Sequence, residues 1–432
     1  MRVRACVRVR ASWGSFEYRL QLLHAGTFFY HSHIPLQYGD GLLGSLIVDP
    51  AEAVDPVRAM YTYDEERLVF LNEWFHADAA VLAATALAVP ADVWRLNSPR
   101  SVLINGRGRC DCADAVPANH CNANAPLEVL SVTPGYRYRL RIIAAGTRVA
   151  LSFHVEGHTL TVVQAQGEPV EPIEVEQLEL AIGDRYDVLL DADRPPGNYW
   201  LASQIIGCTN CMPNSTINDT PSFGMRGLAV LHYDTAPPLG TANATLSSAP
   251  YEPTRAYQPV SFAPPGTLQF NDARLVLAQP LSPPPPTMTW HLNATKIAPE
   301  VLWRINGYQY HHPQVPVLLD VMRGRSFPVE SLVWTVPFGA VLDIVFYSFN
   351  NMDHPIHMHG YKFFFLGWGQ GVPTDDALAN LNTRNPMLLD TAHCPGRGWI
   401  AFRLVANRPG PWMLHCVRQG VSRYNLWLQL YD

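Results

Sequence analysis

Three short clusters in the sequence carry the residue types that bind transition metals. They read YHSHIP, DHPIHMHG and WMLHCV, and their candidate ligands are His31, His33, His354, His357, His359, His415 and Cys416. Imidazole nitrogen and thiolate sulfur are the donors that proteins offer to copper, zinc and iron. The clusters therefore predict a metal centre assembled from three distant parts of the chain.

The spacing within the first two clusters favours strands as their support. His31 and His33 are two residues apart, and so are His357 and His359. Side chains at positions i and i+2 of a strand point to the same face. Each pair can therefore approach one metal ion or two neighbouring ions.

The remaining candidates are expected to point elsewhere. Pro355 separates His354 from the pair that follows it, and we expect the proline to bend the chain and direct His354 away. His415 and Cys416 are adjacent, so on a strand they face opposite sides. The imidazole and the thiolate of this pair should therefore serve different centres, an arrangement suited to electron transfer.

The choice of metal depends on which other ligands accompany the cysteine. A cysteine with two histidines and a weak axial ligand is the geometry of electron-transfer copper sites. Zinc is the competing metal, but structural zinc usually brings paired cysteines at short spacing. Cys208 and Cys211 have no neighbouring histidine and no second cysteine pair. Copper is the predicted metal.

The elements that must position these residues read as β-strands. The 432 residues allow two to four domains of about 100 to 200 residues each. Alternating apolar and polar residues predict strands at Tyr136–Ile142, Phe16–Leu22 and Trp399–Val405. The 37 prolines and 29 glycines between such stretches indicate an all-β chain of sandwiches or barrels. Residues Ala79–Val89 predict a helix, too short to span a bilayer.

A proline-rich stretch and the distribution of strand signals divide the chain into four parts. Residues 236–286 are rich in proline and predict a linker. Residues 61–235 before it and residues 287–432 after it each hold enough strand signals for a domain. Residues 1–60 hold only a few strands, too few for a sandwich of their own.

Charge excludes some partners. Charged residues make up 16% of the chain and the net charge is −6. This balance offers no basic surface for nucleic acid and no polybasic membrane patch. We therefore expect neither nucleic-acid binding nor a membrane span.

Glycosylation sequons and clustered cysteines favour the secretory pathway. Four Asn-x-Ser/Thr sequons occur, and five cysteines lie in two local groups: Asn214, Asn218, Asn243 and Asn293; Cys110, Cys112, Cys121, Cys208 and Cys211. The first residues, MRVRACVRVRASWG, lack the apolar core of a signal peptide. An extracellular location is expected, with no export signal visible in this sequence.

The clusters and their surroundings resemble the multicopper oxidases, the family of laccases, ascorbate oxidases and ferroxidases. GTFFYHSHIPLQYGDGLLGSLIV resembles the second copper motif of that family, HPIHMHGYKFFFLG the third, and NRPGPWMLHC the start of the fourth. SVLINGRG and LEVLSVTPGYRYRLRIIAAG resemble its central domain. The resemblance implies tandem cupredoxin-like Greek-key β-sandwiches, the first of them incomplete.

The resemblance also implies an activity and roles for the candidate ligands. A laccase-type enzyme oxidises phenols or similar small reducing substrates by one electron and reduces dioxygen to water. Matched positions imply type 1 copper ligands at His354 and Cys416, a type 2 ligand at His357, and type 3 ligands at His31, His33, His359 and His415.

The sequence departs from the family in its first and fourth motifs. The first motif, His-Trp-His-Gly, is absent, and Val417 follows Cys416 where the family has histidine. Residues 417–432 contain no histidine, and either Leu426 or Val421 aligns with the axial position. We expect impaired oxidase activity. The alternative is a non-catalytic cupredoxin-fold protein that binds copper weakly.

Other polar residues near the clusters have structural interpretations. We expect His154 and His158 to be structural, and Met358 to fill the core. Asp40 precedes a glycine, which is typical of a turn, although a carboxylate there could also relay protons.

Overall fold

The chain is built from β-strands in a hairpin and two sandwiches. The computed structural model describes residues 22, 24–34, 37–50, 55–82, 99, 101–109, 122, 125–206, 226–237, 266–297, 302–311, 313–351, 353–418 and 427–431. Within these residues strands far outnumber helices, and the predicted all-β fold class is confirmed. No helix among the described residues is long and apolar enough to cross a membrane.

The first sheet is a hairpin of two antiparallel strands. It comprises β1 (Gly26–His31) and β2 (Leu43–Val48). The hairpin lies on the second domain, where Thr27 Oγ1 donates to Asp187 Oδ1 over 2.6 Å. This contact fixes the start of β1, the strand that ends at His31.

The second domain is a sandwich of two six-stranded sheets. Its strands are β3 (Glu65–Trp74), β4 (Ser101–Ile104), β5 (Glu128–Val132), β6 (Arg137–Ala144), β7 (Ala150–Val155), β8 (Leu160–Ala165), β9 (Glu168–Val175), β10 (Gln177–Leu180), β11 (Arg185–Asp191), β12 (Asn198–Ile206), β13 (Arg226–Tyr233) and β14 (Thr267–Leu268). The sheet orders are β14-β10-β7-β12-β13-β5 and β4-β3-β6-β11-β8-β9. Strand β14 pairs in parallel with β10, so part of the predicted linker 236–286 belongs to this sandwich.

The third domain is a second sandwich, of six and five strands. Its strands are β15 (Met288–Ile297), β16 (Leu302–Ile305), β17 (Val333–Thr335), β18 (Val341–Ser348), β19 (His354–Met358), β20 (Phe363–Gln370), β21 (Leu388–Leu389), β22 (Thr391–Cys394), β23 (Gly398–Val405), β24 (Trp412–Cys416) and β25 (Trp427–Tyr431). Helices α1 (Val317–Met322) and α2 (Asp375–Ala379) and a 3₁₀ turn, Val329–Ser331, lie between strands. The sheet orders are β16-β15-β18-β23-β20-β21 and β17-β25-β24-β19-β22.

Strand β6 shows how alternation builds two layers at once. Tyr138, Leu140 and Ile142 are fully buried in the core of the sandwich. The intervening Arg139 and Arg141 are buried on the opposite face, where Arg139 pairs with Asp187 and Arg141 pairs with Glu66 and with Asp49, just beyond β2. One face of the strand therefore packs the core, and the other holds the hairpin.

The strand predictions at Tyr136–Ile142 and Trp399–Val405 are confirmed by β6 and β23, each shifted by a residue or two. Of the predicted helix Ala79–Val89, residues 79–82 are helical, and Ala79 and Leu82 pack on Phe75. The rest of that helix, the predicted strand Phe16–Leu22 and the cysteines at 110, 112, 121, 208 and 211 lie outside the described residues.

Candidate metal centre

Two neighbouring strands of the third domain bring the second and third clusters together. Strands β19 and β24 are antiparallel, with His357 opposite His415 and Ile356 opposite Cys416. Directly paired residues project to the same face of a sheet. His357 and His415 therefore share one face, and Cys416 lies on the other.

The hairpin adds the first cluster to that face. Strand β1 ends at His31, and His33 lies two residues beyond it. The rings of His31 and His33 are 4.5 Å apart, and that of His33 lies 4.8 Å from His359 and 5.1 Å from His415. We call the five side chains His31, His33, His357, His359 and His415 the imidazole cluster.

The cluster is tight enough to bind a metal ion. Nε2 of His359 lies 2.9 Å from Nε2 of His415. One ligand nitrogen each from His33, His359 and His415 lies within 4.8 Å of the other two. Three imidazoles with an open fourth position suit zinc or copper. The donor set therefore fits a transition-metal ion.

Main-chain carbonyls orient three of the rings. Nδ1 of His31 lies 3.1 Å from the oxygen of Ser32, and Nδ1 of His415 lies 2.9 Å from that of Cys416. Nδ1 of His357 lies 2.8 Å from the oxygen of Asp390. A carbonyl only accepts, so each Nδ1 carries the proton and each Nε2 remains a ligand.

The rings are held in the neutral form that binds metals. Burial, followed by the neighbouring imidazoles, lowers the pKa of His31 to about 3 and that of His33 to about 4. The same causes hold the pKa of His359 and of His415 well below the usual value. The lone pairs are therefore available at neutral pH.

The thiol of the third cluster meets a different histidine. Cys416 Sγ lies 3.4 Å from Nδ1 of His354, and both residues are buried. Trp303 packs edge-on against His354, with ring centroids 4.8 Å apart. We call Cys416 and His354 the thiol–imidazole pair. His415 and Cys416 thus reach two separate places, as the sequence predicted.

His354 points away from the cluster, but a bend at Pro355 is not the cause. Strand β19 continues through Pro355, which pairs with His393 of β22. His354 is three residues from His357, and an odd separation on a strand places two side chains on opposite faces. His354 therefore points in the expected direction, but the expected reason, a bend at Pro355, is wrong.

The thiol–imidazole pair fits copper less well than the imidazole cluster does. Val417, where the family resemblance leads one to expect histidine, is buried with 2% exposure, and its N–H donates to Pro355. Nη1 of Arg418 lies 3.3 Å from the carbonyl oxygen of Asp353, the residue before His354. A guanidinium therefore lies beside the pair.

Contacts between the domains support the cluster and were not foreseen from the sequence. Arg185 of β11 pairs with Asp390 in a bidentate arrangement, with a 2.8 Å distance from Nη1 to Oδ1. Oε1 of Gln166 accepts from the main-chain N–H groups of Asp390 and Thr391. Oγ1 of Thr391 lies 3.1 Å from Nδ1 of His357, so this bridge touches a candidate ligand.

The other polar residues near the clusters have structural contacts. Asp40 lies in a turn, and its Oδ1 accepts from the N–H of Ala79 at the start of the helical turn. His158 bonds to Tyr233 Oη over 2.8 Å, and Met358 is fully buried in the core. His154 lies on β7. Leu426 and Val421 lie outside the described residues.

The chain is similar to multicopper oxidases in both sequence and structure. Three profiles, each described as multicopper oxidase, match residues 9–53, 65–236 and 299–426. Laccase-1 of Fomitopsis schrenkii is 34% identical over 404 residues, covering 91% of this chain and 65% of its own length. L-ascorbate oxidase of Cucumis sativus is 30% identical, covering 93% of this chain and 72% of its own length. The crystal structure of a laccase from Botrytis aclada superposes with a TM-score of 0.74 at 27% identity, covering 96% of this chain and 71% of its own. The chain thus spans about two-thirds of the length of the first of these relatives.

Proposed function

The chain belongs to the multicopper oxidase family, and from this premise we propose that it is a copper-dependent oxidoreductase of laccase type. The proposed reaction is the one-electron oxidation of phenolic or similar small donors, coupled to the reduction of dioxygen to water. We further propose that the residues after Cys416 impair this activity.

One observation carries the proposal. The β19–β24 register directs His415 into the imidazole cluster and Cys416 against His354. A single peptide bond therefore joins a residue of the imidazole cluster to a residue of the thiol–imidazole pair. The imidazole cluster would hold copper on one side; Cys416 with His354 corresponds to a second copper position on the other, which in this chain has the guanidinium of Arg418 beside it. Copper bound there would supply one-electron chemistry and the reduction of dioxygen.

The residues of the chain contribute orientation and exclusion of water. The carbonyl of Asp390 and the hydroxyl of Thr391 fix the ring of His357. His415 and Cys416 are 1% and 4% exposed, so the strand that joins the two places is dry. Fixed ligand orientation and a dry surrounding are what a protein adds to a redox metal.

Impairment follows from the side chain at position 417. It lies two residues beyond His415, and alternation directs it towards the side of the sheet that carries the imidazole cluster. Valine offers no donor atom there. Losses of hydrogen-bonding partners around metal ligands typically cost 10–100-fold in affinity or activity, and we expect the loss of a ligand to cost at least as much.

Oxygen uptake on a phenol tests both parts of the proposal. The chain loaded with copper should consume oxygen at a rate near the uncatalysed background. Val417→His, combined with Arg418→Met to remove the guanidinium beside the thiol–imidazole pair, should raise that rate at least tenfold. Val417→Asn with the same Arg418→Met change, polar but a poor ligand, is the matched control and should stay at background. Rapid uptake by the unaltered chain would contradict the impairment. Failure of the Val417→His, Arg418→Met protein to gain any uptake would favour the non-catalytic alternative.

We also propose that the protein passes through the secretory pathway. Asn293, in the sequon Asn-Ala-Thr, lies exposed on β15. The sequons at Asn214, Asn218 and Asn243 lie outside the described residues. After expression in a secreting eukaryotic cell, endoglycosidase treatment should increase the electrophoretic mobility of the chain. Asn293→Gln should remove one step of that shift, and an unchanged pattern would contradict glycosylation there.

A further inference from the structure

We propose that Arg418 closes the thiol–imidazole pair to copper, and that this chain binds a single metal ion, through His33, His359 and His415. The inference deepens the proposed function and rests on it for the positions of the two places. It replaces the family's several copper centres with one site in this chain.

Arg418 touches the pair through both its main chain and its side chain. Its main-chain N–H is hydrogen-bonded to the thiol of Cys416. Its guanidinium donates to the carbonyl of Asp353, next to His354. Arg418 is therefore hydrogen-bonded to one candidate ligand and to the residue that precedes the other.

Further charges surround the pair. Nζ of Lys296 lies 5.8 Å from the ring of Trp303, which packs on His354. The carboxylate of Asp353 is an acidic neighbour, and its Oδ2 lies 3.8 Å from Nε2 of His393. The other carboxylate oxygen, Oδ1, accepts from the main-chain N–H of Gly396, and the guanidinium of Arg418 contacts the main-chain oxygen of Asp353.

Electrostatics and ligand number act in the same direction. A divalent ion at Cys416 would lie close to a fixed positive charge in a buried place, where screening by water and salt is weak. An electron-transfer copper site also takes two imidazoles and a thiolate, and within the described residues the thiol contacts one imidazole, that of His354. The pair lacks a ligand and faces a cation.

The imidazole cluster offers several imidazoles where the pair offers one. The guanidinium next to it, that of Arg185, is neutralised by Asp390, whose Oδ1 lies 3.6 Å from Nδ1 of His357. The three nitrogens of His33, His359 and His415 need only small ring rotations to reach a common ion. Copper binds to such a nitrogen site more tightly than other divalent first-row metals.

Copper counting and spectroscopy test the inference without measuring turnover. The full chain is stripped with a chelator, equilibrated with Cu²⁺, dialysed, and examined for copper content, electron paramagnetic resonance and visible absorption. We expect one copper per chain, nitrogen hyperfine structure, and no thiolate-to-copper absorption band. Two or more coppers, a thiolate band, or no bound copper would each overturn the inference.

Substitutions test which residues bind the single ion and whether Arg418 prevents copper from binding at the thiol–imidazole pair. His359→Asn should lower the copper content at least tenfold, whereas Cys416→Ser should leave both the content and the resonance spectrum unchanged. Arg418→Met should add a second copper together with a thiolate band, and Arg384→Met, at an exposed arginine, should not. A folded Arg418→Met protein that still holds one copper would overturn the closure. If that variant does not fold, a change of spectrum in Cys416→Ser would overturn it instead.

The outcomes separate this inference from the proposed function. Oxygen uptake by the Val417→His, Arg418→Met protein decides the proposed function, whatever the copper count of the unaltered chain. A thiolate band in the unaltered chain would overturn the closure by Arg418 and leave the proposed oxidase function standing.

Discussion

The ion pair between Arg185 and Asp390 offers a direct test of how the two sandwiches hold the imidazole cluster. Arg185 is 3% exposed and Asp390 is 8% exposed, and each belongs to a different domain. The main-chain oxygen of Asp390 also accepts from His357. Arg185→Met removes the cation while keeping much of the side-chain volume.

The expected cost is large because one charge would remain without its partner. Burial alone would raise the pKa of Asp390, but the charge and hydrogen bonds of Arg185, together with those of His357, outweigh it and hold that pKa well below its usual range. Removing one partner of a buried pair typically costs about 3–5 kcal/mol. For domains of this size that corresponds to a drop in Tm of roughly 6–20 °C.

Differential scanning calorimetry of a double-mutant cycle measures the effect. Arg185→Met should lower the transition, and Arg185→Met with Asp390→Asn should recover most of the loss because no buried charge is left unpaired. Arg137→Met is the matched control, since Arg137 and Asp191 form an exposed pair, with side chains 42% and 52% exposed, worth about 0–1 kcal/mol. A drop below about 2 °C in Arg185→Met, or a double variant as unstable as the sum of the singles, would refute this reasoning.

Two further predictions concern pH and packing. Burial raises the pKa of Glu179 to about 7, so the folded chain holds a proton that the unfolded chain loses, and stability falls as pH rises from about 4.5 to 7. Glu179→Gln should remove the contribution of Glu179 to this fall, about 3 kcal/mol at most, and leave that of Asp184, whose pKa burial also raises to about 7; parallel pH profiles of Tm in both proteins would contradict it. A Cβ on Gly360 would lie 2.1 Å from Trp412, so Gly360→Ala should destabilise by about 2 kcal/mol or more. Gly371→Ala, with a similar positive φ and open space, should cost about 1 kcal/mol, and equal losses in thermal unfolding would show that strain alone acts.

Local pattern was sufficient for the features that depend on strand alternation. The period of two in YRYRLRI predicted β6, and the adjacency of His415 and Cys416 predicted their opposite faces. These properties follow from side-chain geometry within a few residues. That the three clusters meet was inferred from their shared metal-binding residue types and from the family resemblance, because no local rule relates His33 to His415.

Contacts between distant residues could not be predicted in the same way. Arg185 and Asp390 are separated by 205 positions, and nothing in GDRYD or LLDTA marks either as a partner of the other. Strand β14 was assigned to a linker because a two-residue strand carries no alternation. Arg418 lies two residues after Cys416 in the sequence. Its effect on the thiol–imidazole pair depends on the fold, which directs its guanidinium back to the carbonyl oxygen of Asp353.

The hairpin β1–β2 makes the metal a structural participant. His33 reaches the cluster from a two-stranded piece that the second domain holds through Thr27 and Asp49, while His359 and His415 come from the third domain. An ion that binds both sides adds its own free energy to the docking of the hairpin, about 2.7 kcal/mol when its concentration is 100 times its Kd. By the same linkage, a hairpin that is held less firmly lowers the affinity of the site for the ion. Metal affinity in this chain is therefore also a measure of how firmly its first segment is attached.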